Sequence, residues 1–288
     1  MALSARVETG AGVLGVRRNA TRQSASVPAR LAAEGAWHLL PLYWLLTLSD
    51  LGREGIANSG SYRFADHIYR AAPSGRFVIG RLVDAVLLRL PAARAFRERY
   101  RKSSHAMHMA IARRGAATPT RILSVPCGIP RDIVDVVAGL QAQGDAPHGI
   151  DYWGMDIDAE VLRLARRVTS AAGLASARYQ HGDALRREHY PDASFDAVVS
   201  TGLGEFLDDG ELEAFYRNVY DVLAPGGTFF TSATAEDRRS EPLLRMIELR
   251  THYRTAAQLR SILARLPWRS VEIEVDPTGL QAFATVRR

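Results

Sequence analysis

From Thr118 to Arg288 the sequence alternates short apolar runs with segments of helical period, and that alternation restricts the fold more than any other feature. Arg121–Val125, Gly149–Met155, Ala177–Gln180, Phe195–Ser200 and Thr228–Ala233 read as strands. Helical patterns follow from Pro130, over Ala159–Thr169 and over Asp209–Leu223. A long helix is expected over Glu241–Leu266, then strands Arg269–Asp276 and Leu280–Arg287 around the turn Pro277-Thr278-Gly279. Strands separated by helices make a parallel sheet covered on both faces. The last pair, joined by so short a turn, must be antiparallel. The expectation is an α/β fold: a doubly wound, mostly parallel seven-stranded sheet closed by an antiparallel pair.

The first 117 residues differ. Residues 1–30 read as a flexible tail and 31–117 as an N-terminal helical region, leaving 118–288 for the sheet domain. Ala36–Leu48 is the strongest apolar run, but it holds His38 and Pro41 and is too short to span a bilayer. Val78, Leu82, Val86, Leu87 and Leu90 mark a second helix that ends at Pro91. Between them, Gly52–Asp66 reads as a polar loop carrying Tyr62, Arg63 and Phe64.

The net charge of +6 comes almost wholly from arginine, since Lys102 is the single lysine. No long basic block and no nucleic-acid module accompany it, which argues against a nucleic-acid substrate. One cysteine, Cys127, rules out an internal disulfide, and no metal-ligand spacing occurs. With no signal peptide or membrane span, the expected setting is cytoplasmic, with no membrane partner. The oligomeric state stays open, a homodimer included.

In an open parallel sheet, ligands bind beyond the carboxyl ends of the strands where strand order reverses. The loops there carry an ordered set of signals. Ser124-Val-Pro-Cys-Gly-Ile-Pro-Arg-Asp132 follows the first strand, Asp156-Ile-Asp158 the second and His181-Gly-Asp-Ala184 the third. Ser200-Thr-Gly-Leu-Gly-Glu-Phe-Leu207 follows the fourth, and Leu223-Ala-Pro-Gly-Gly227 opens the fifth. Together these residues resemble the class I S-adenosylmethionine-dependent methyltransferases, whose domain is Rossmann-like, from about residue 120 to the C-terminus.

The resemblance implies S-adenosyl-L-methionine as cofactor and methylation of a small molecule in biosynthesis. It places Pro126, Cys127 and Gly128 against the methionine part, Asp156 on the ribose hydroxyls and Ile157 on adenine. Asp183 and Ala184 would lie beside the adenine amino group; Ser200, Thr201, Gly202 and Phe206 would face cofactor and substrate. Glu205 is the candidate base, Tyr62 a second catalytic candidate on a helical lid, and His252 and Tyr253 candidates for substrate contact within the long helix. The loop after the first strand departs from the family: Pro126 and Pro130 replace glycines and remove amide donors. Arg131 or Arg63 is the candidate for the missing carboxylate contact. The same departure admits another reaction, closure of the cofactor's aminobutyrate chain to an azetidine or cyclopropane amino acid with release of methylthioadenosine.

Overall fold

A computed structural model of the chain describes residues 27–58, 61–114, 118–144, 149–237 and 251–288. The described residues fall into two units, one running to Phe96 with Asp237, the other comprising 97–236 and 251–288.

The second unit is built on seven strands: β1 (Thr120–Ser124), β2 (Ile150–Asp156), β3 (Arg178–His181), β4 (Phe195–Ser200), β5 (Leu223–Thr234), β6 (Ser270–Val275) and β7 (Gln281–Arg287). Their order is β3-β2-β1-β4-β5-β7-β6. The first five are parallel, and β7 runs antiparallel to both β5 and β6. The expected sheet and its closing antiparallel pair are present. Strand order reverses between β1 and β4, so the crevice for a ligand lies at the carboxyl ends of those two strands.

Apolar residues occupy consecutive positions along β1 and β4 because both faces are covered. Leu123 and Val198 enter a core with Phe215, Tyr216, Val219, Leu259 and Ile262. Ile122, Ala197 and Val199 enter another with Met107, Ile133, Val137 and Tyr152. In the first core Phe215, Tyr216 and Phe229 meet with ring centroids 5.4–6.2 Å apart, and such pairs add roughly 0.5–1.5 kcal/mol each beyond the area they bury.

In the first unit a helical stretch at 27–33 buries Val27 and Leu31, so the last residues of the expected tail are helical. Residues 1–26 lie outside the described residues. Helices α1 (Leu40–Leu46), α2 (Asp50–Ala57), α3 (Tyr62–Arg70) and α4 (Phe77–Leu87) follow, and α5 (Pro91–Arg114) continues into the second unit. The stretch expected as a loop is therefore largely two helices. Ser49 and Ser61 cap them, accepting from the amides of Gly52 and Phe64. Gly52 serves close packing rather than a turn: a Cβ there would lie 2.3 Å from the carbonyl oxygen of Leu46. Buried Asp84 of α4 joins these pieces, accepting from Ser49 Oγ, Leu51 N and Ser74 N and pairing with His67 Nε2 at 2.8 Å.

In the second unit, helices α6 (Arg131–Ala142), α7 (Ala159–Ala171), α8 (Asp209–Val222) and α9 (Ala256–Leu263) flank the sheet. The expected long helix is corrected. Residues 251–255 are not helical, and α9 starts at a capping box in which Thr255 and Gln258 satisfy each other's backbone amides. Residues 241–250 of that expectation lie outside the described residues.

Candidate cofactor site at the strand ends

Apart from Arg131, which opens α6, the expected cofactor residues of the second unit lie at the carboxyl ends of β1 to β4 or just beyond them, and the hydrogen bonds show what holds them there. After β1, the amide of Cys127 donates to Met155 O at 2.8 Å, drawing this loop onto β2. Gly128, at φ +51°, donates its amide to Asp156 Oδ2 at 3.1 Å. Both amides are thus engaged within the protein, and the prolines at 126 and 130 offer none. Pro130 stands one residue before α6, where its ring is compatible with helix entry. The Cys127 thiol is buried against Leu162, Ala165 and Tyr179, and burial pushes its pKa well up, as suits a packing role.

Asp156 ends β2 with its carboxylate nearly buried. Oδ1 accepts from the Asp158 amide at 3.0 Å and Oδ2 from Gly128. Burial raises its pKa, and these amides work in the opposite direction. A carboxylate has about four acceptor positions, so two amide bonds leave it capacity for a hydroxyl pair. Ile157, next along, is half-buried. After β3, Asp183 accepts from Leu185 N at 2.9 Å, and its own amide donates to His189 Nδ1 at 3.0 Å. The carbonyl of Ala184 accepts from Tyr190 Oη and Asn218 Nδ2. These bonds fix the loop and leave the second oxygen of Asp183 outside them.

After β4, Ser200 is buried, and among the described residues its Oγ meets no hydrogen-bond partner. Thr201 and Gly202 are half-buried, and Phe206 is exposed. Gly202 sits at φ +89°, and a Cβ there would come within 3.2 Å of Arg99 Nη1.

Glu205 is 5% exposed, and one carboxylate oxygen, Oε1, is shared by two donors. Arg99 Nη1 of α5 donates to it at 2.9 Å, and Thr234 Oγ1 donates to the same atom. Gln281 Nε2 in turn donates to Thr234 Oγ1 at 2.6 Å. Arg254 clamps the loop from the other side: Nη1 donates to Gly204 O and Nη2 to Leu207 O, both at 2.6 Å, and Nε to Asp209 Oδ1 at 2.9 Å. The amide of His252 donates to Glu205 O at 2.7 Å. His252 and Tyr253, expected within a helix, therefore lie on the non-helical segment that secures this loop. Neither Arg99 nor Arg254 stood out in the sequence. Arg254 had a signal, because it directly precedes the Thr255–Gln258 capping pattern and so stands outside the helix.

Tyr62 and Arg63 belong to the first unit, at the start of α3. Arg63 Nε donates to Tyr62 Oη at 3.1 Å and its guanidinium lies over the Tyr62 ring. Arg131 opens α6, and its carbonyl accepts from Tyr100 Oη at 3.2 Å. Among the described residues no group of histidine, cysteine or carboxylate side chains could hold a metal ion.

Comparison with known proteins agrees with this geometry. Residues 135–227 match a family model described as a methyltransferase domain. A demethylmenaquinone methyltransferase of Deinococcus radiodurans is 38% identical over 104 residues, covering 34% of this chain and 41% of that protein. The chain spans less than half the length of the curated relatives it matches. Among solved structures, a possible exported protein from Bordetella parapertussis shares the fold over 100% of this chain and 99% of its own, with a TM-score of 0.72 at 23% identity. Magnesium protoporphyrin IX methyltransferase from Synechocystis, solved with bound S-adenosylhomocysteine, shares it over 77% and 93% of the two chains, with a TM-score of 0.50 at 12% identity. Through its sheet unit, the chain is similar to the class I S-adenosylmethionine-dependent methyltransferases, with the methyltransferase-domain match confined to residues 135–227.

Proposed function

We propose that the protein transfers the methyl group of S-adenosylmethionine to a small molecule. The observation that carries this reading is Asp156, a nearly buried carboxylate at the end of β2 beside the switch point, with acceptor capacity beyond its two amide bonds. The residues fit the cofactor in two further respects. Among the described residues the buried Ser200 Oγ has a hydrogen bond still to make, and the space beyond the α-carbon of Gly128 is open, with no atom apart from its chain neighbours within 4 Å of a Cβ built there.

When bound, the cofactor supplies a sulfonium-activated methyl group that an acceptor takes by in-line displacement. Asp156 holds the ribose hydroxyls, Ile157 packs on adenine, and Asp183 with Ala184 reads the adenine edge. Pro126, Cys127 and Gly128 shape the methionine end, and Ser200, Thr201, Gly202 and Phe206 bound the reacting region. With the Cys127 and Gly128 amides engaged elsewhere, Arg131 supplies the cation for the amino-acid carboxylate. Glu205 takes a different part from the base read in the sequence: with Arg99 and Thr234 on its carboxylate, it positions the loop that bears the reacting residues. Alignment and exclusion of water then account for most of the rate.

The curated relatives are methyltransferases, which favours transfer over ring closure. Mass spectrometry of the nucleoside product separates the two. S-adenosylhomocysteine formed only when a metabolite extract is added is the expected result. Methylthioadenosine with a cyclic amino acid, formed from S-adenosylmethionine alone, would overturn the proposal in favour of the cyclase.

A further inference from the structure

In the first unit, helix α4 turns its apolar side outward. Phe77, Val78, Leu82 and Val86 are 80%, 73%, 61% and 59% exposed, and Ile79 lies beside them. Val78, Leu82 and Val86 recur every fourth residue and so form one stripe. The opposite side is already used: Asp84 is buried in its hydrogen bonds, while Val83 and Leu87 pack against the cluster of Tyr43, Leu46 and Ile56. Among the described residues, the stripe is therefore surplus to the unit's own core. Phe77 adds a second sign, since its φ of +55° is a conformation that a bulky residue rarely adopts. That cost is not recovered by burying its ring.

The charges around the stripe decide its partner. Arg76, Arg81, Arg89 and Arg94 are all exposed. From residue 71 to 96 the sole acid is Asp84, which is buried and paired with His67. A two-fold contact between copies would lay this patch against itself, and would set arginines against arginines with no acid in the segment to offset them. An anionic bilayer complements both features, taking the apolar side chains between its headgroups and the guanidiniums against its phosphates. Trp37 and Trp44, 63% and 61% exposed in the same unit, are residues suited to that boundary.

We propose that α4 docks the protein on an anionic lipid surface, lying in the headgroup region without crossing it. Among the described residues no helix is long and apolar enough to cross a membrane. The proposal replaces the sequence expectation of no membrane partner, and it stands whether or not the protein transfers methyl groups.

The test is flotation of the full chain with vesicles of phosphatidylcholine alone and of phosphatidylcholine with phosphatidylglycerol. Binding to the anionic vesicles alone, weakened by salt, is expected. Leu82→Glu and Val86→Glu should each lower the partition roughly tenfold or more, from the apolar area withdrawn, with circular dichroism unchanged because both sites are exposed. Arg81→Glu with Arg89→Glu should abolish the preference for anionic vesicles. No wild-type binding, equal binding to both vesicles, or binding indifferent to these substitutions would overturn the proposal. So would a dimer, seen in sedimentation, that Leu82→Glu separates.

Discussion

Replacing Arg99 by methionine gives the sharpest test of how the loop after β4 is held. Arg99 is 4% exposed and donates to Glu205 Oε1 at 2.9 Å. Removing the guanidinium leaves a buried carboxylate whose remaining side-chain donor to that oxygen is Thr234. Breaking one side of a buried ion pair costs about 3–5 kcal/mol, most of it the desolvation of the stranded charge. Solvent screening does little to reduce this, because both partners are almost completely covered. For a unit of this size each kcal/mol lowers the melting temperature by roughly 2–4 °C, so Arg99→Met should melt roughly 6–20 °C lower by calorimetry. Glu205→Met should cost a similar amount. The double variant should recover most of the loss, because an apolar pair replaces two charges. A loss below about 1 kcal/mol, or a double variant no better than the sum of the singles, would refute the reasoning.

Other expectations follow from the same geometry. Gly202→Ala should lower stability by roughly 1–2 kcal/mol from the left-handed backbone alone, and more if Arg99 must shift, as chemical denaturation would measure. Arg254→Leu removes three short donors from residues 204–209; amides around Glu205 should exchange faster with deuterium while those of β1 stay protected. The His67–Asp84 pair makes the first unit sensitive to pH. The hydrogen bond to Asp84 raises the His67 pKa above its ordinary 6.5, outweighing desolvation. Burial opposes ionisation of Asp84, but its bonds to His67, Ser49, Leu51 and Ser74 outweigh that and hold its pKa below 3.8. The His67 contribution is therefore complete below about pH 6.5 and fades as pH rises through the raised value. The Asp84 contribution is complete above about pH 4 and fades on further acidification. Hydrogen exchange in α3 and α4 should quicken from pH 6 to 9 after correction for intrinsic rates, and His67→Gln should remove that trend.

The sequence shows the sheet unit well and the first unit poorly, for physical reasons visible at particular residues. Strand β4 was legible to the residue, Phe195 to Ser200, because its apolar run is closed by turn-forming residues. The positions of Asp156 and Asp183 at the ends of β2 and β3 were legible because a strand end followed by an acid is a local pattern. The helices α2 and α3 were missed because the glycines and small polar residues of 52–66 read as a loop, when Gly52 permits α2 to approach Leu46; the capping serines at 49 and 61 were the better signal. The start of α9 was missed although Thr255 and Gln258 announce it. The partners of Glu205 were not legible at all. Arg99 lies 106 positions away, and nothing local distinguishes it from the arginines at 97 and 101. Nor could periodicity tell which side of α4 is buried, since the outward side carries the stronger apolar stripe.

The central claim is that the loops after β1, β2, β3 and β4 bind an S-adenosyl nucleoside. Calorimetric titration of the full chain with S-adenosylhomocysteine tests it most directly, because that ligand needs no acceptor and undergoes no turnover. The account predicts saturable one-to-one binding, weakened at least tenfold by Asp156→Ala through loss of the charged acceptor, while the fold is retained. No binding by the wild-type chain, or equal binding by Asp156→Ala, would contradict it.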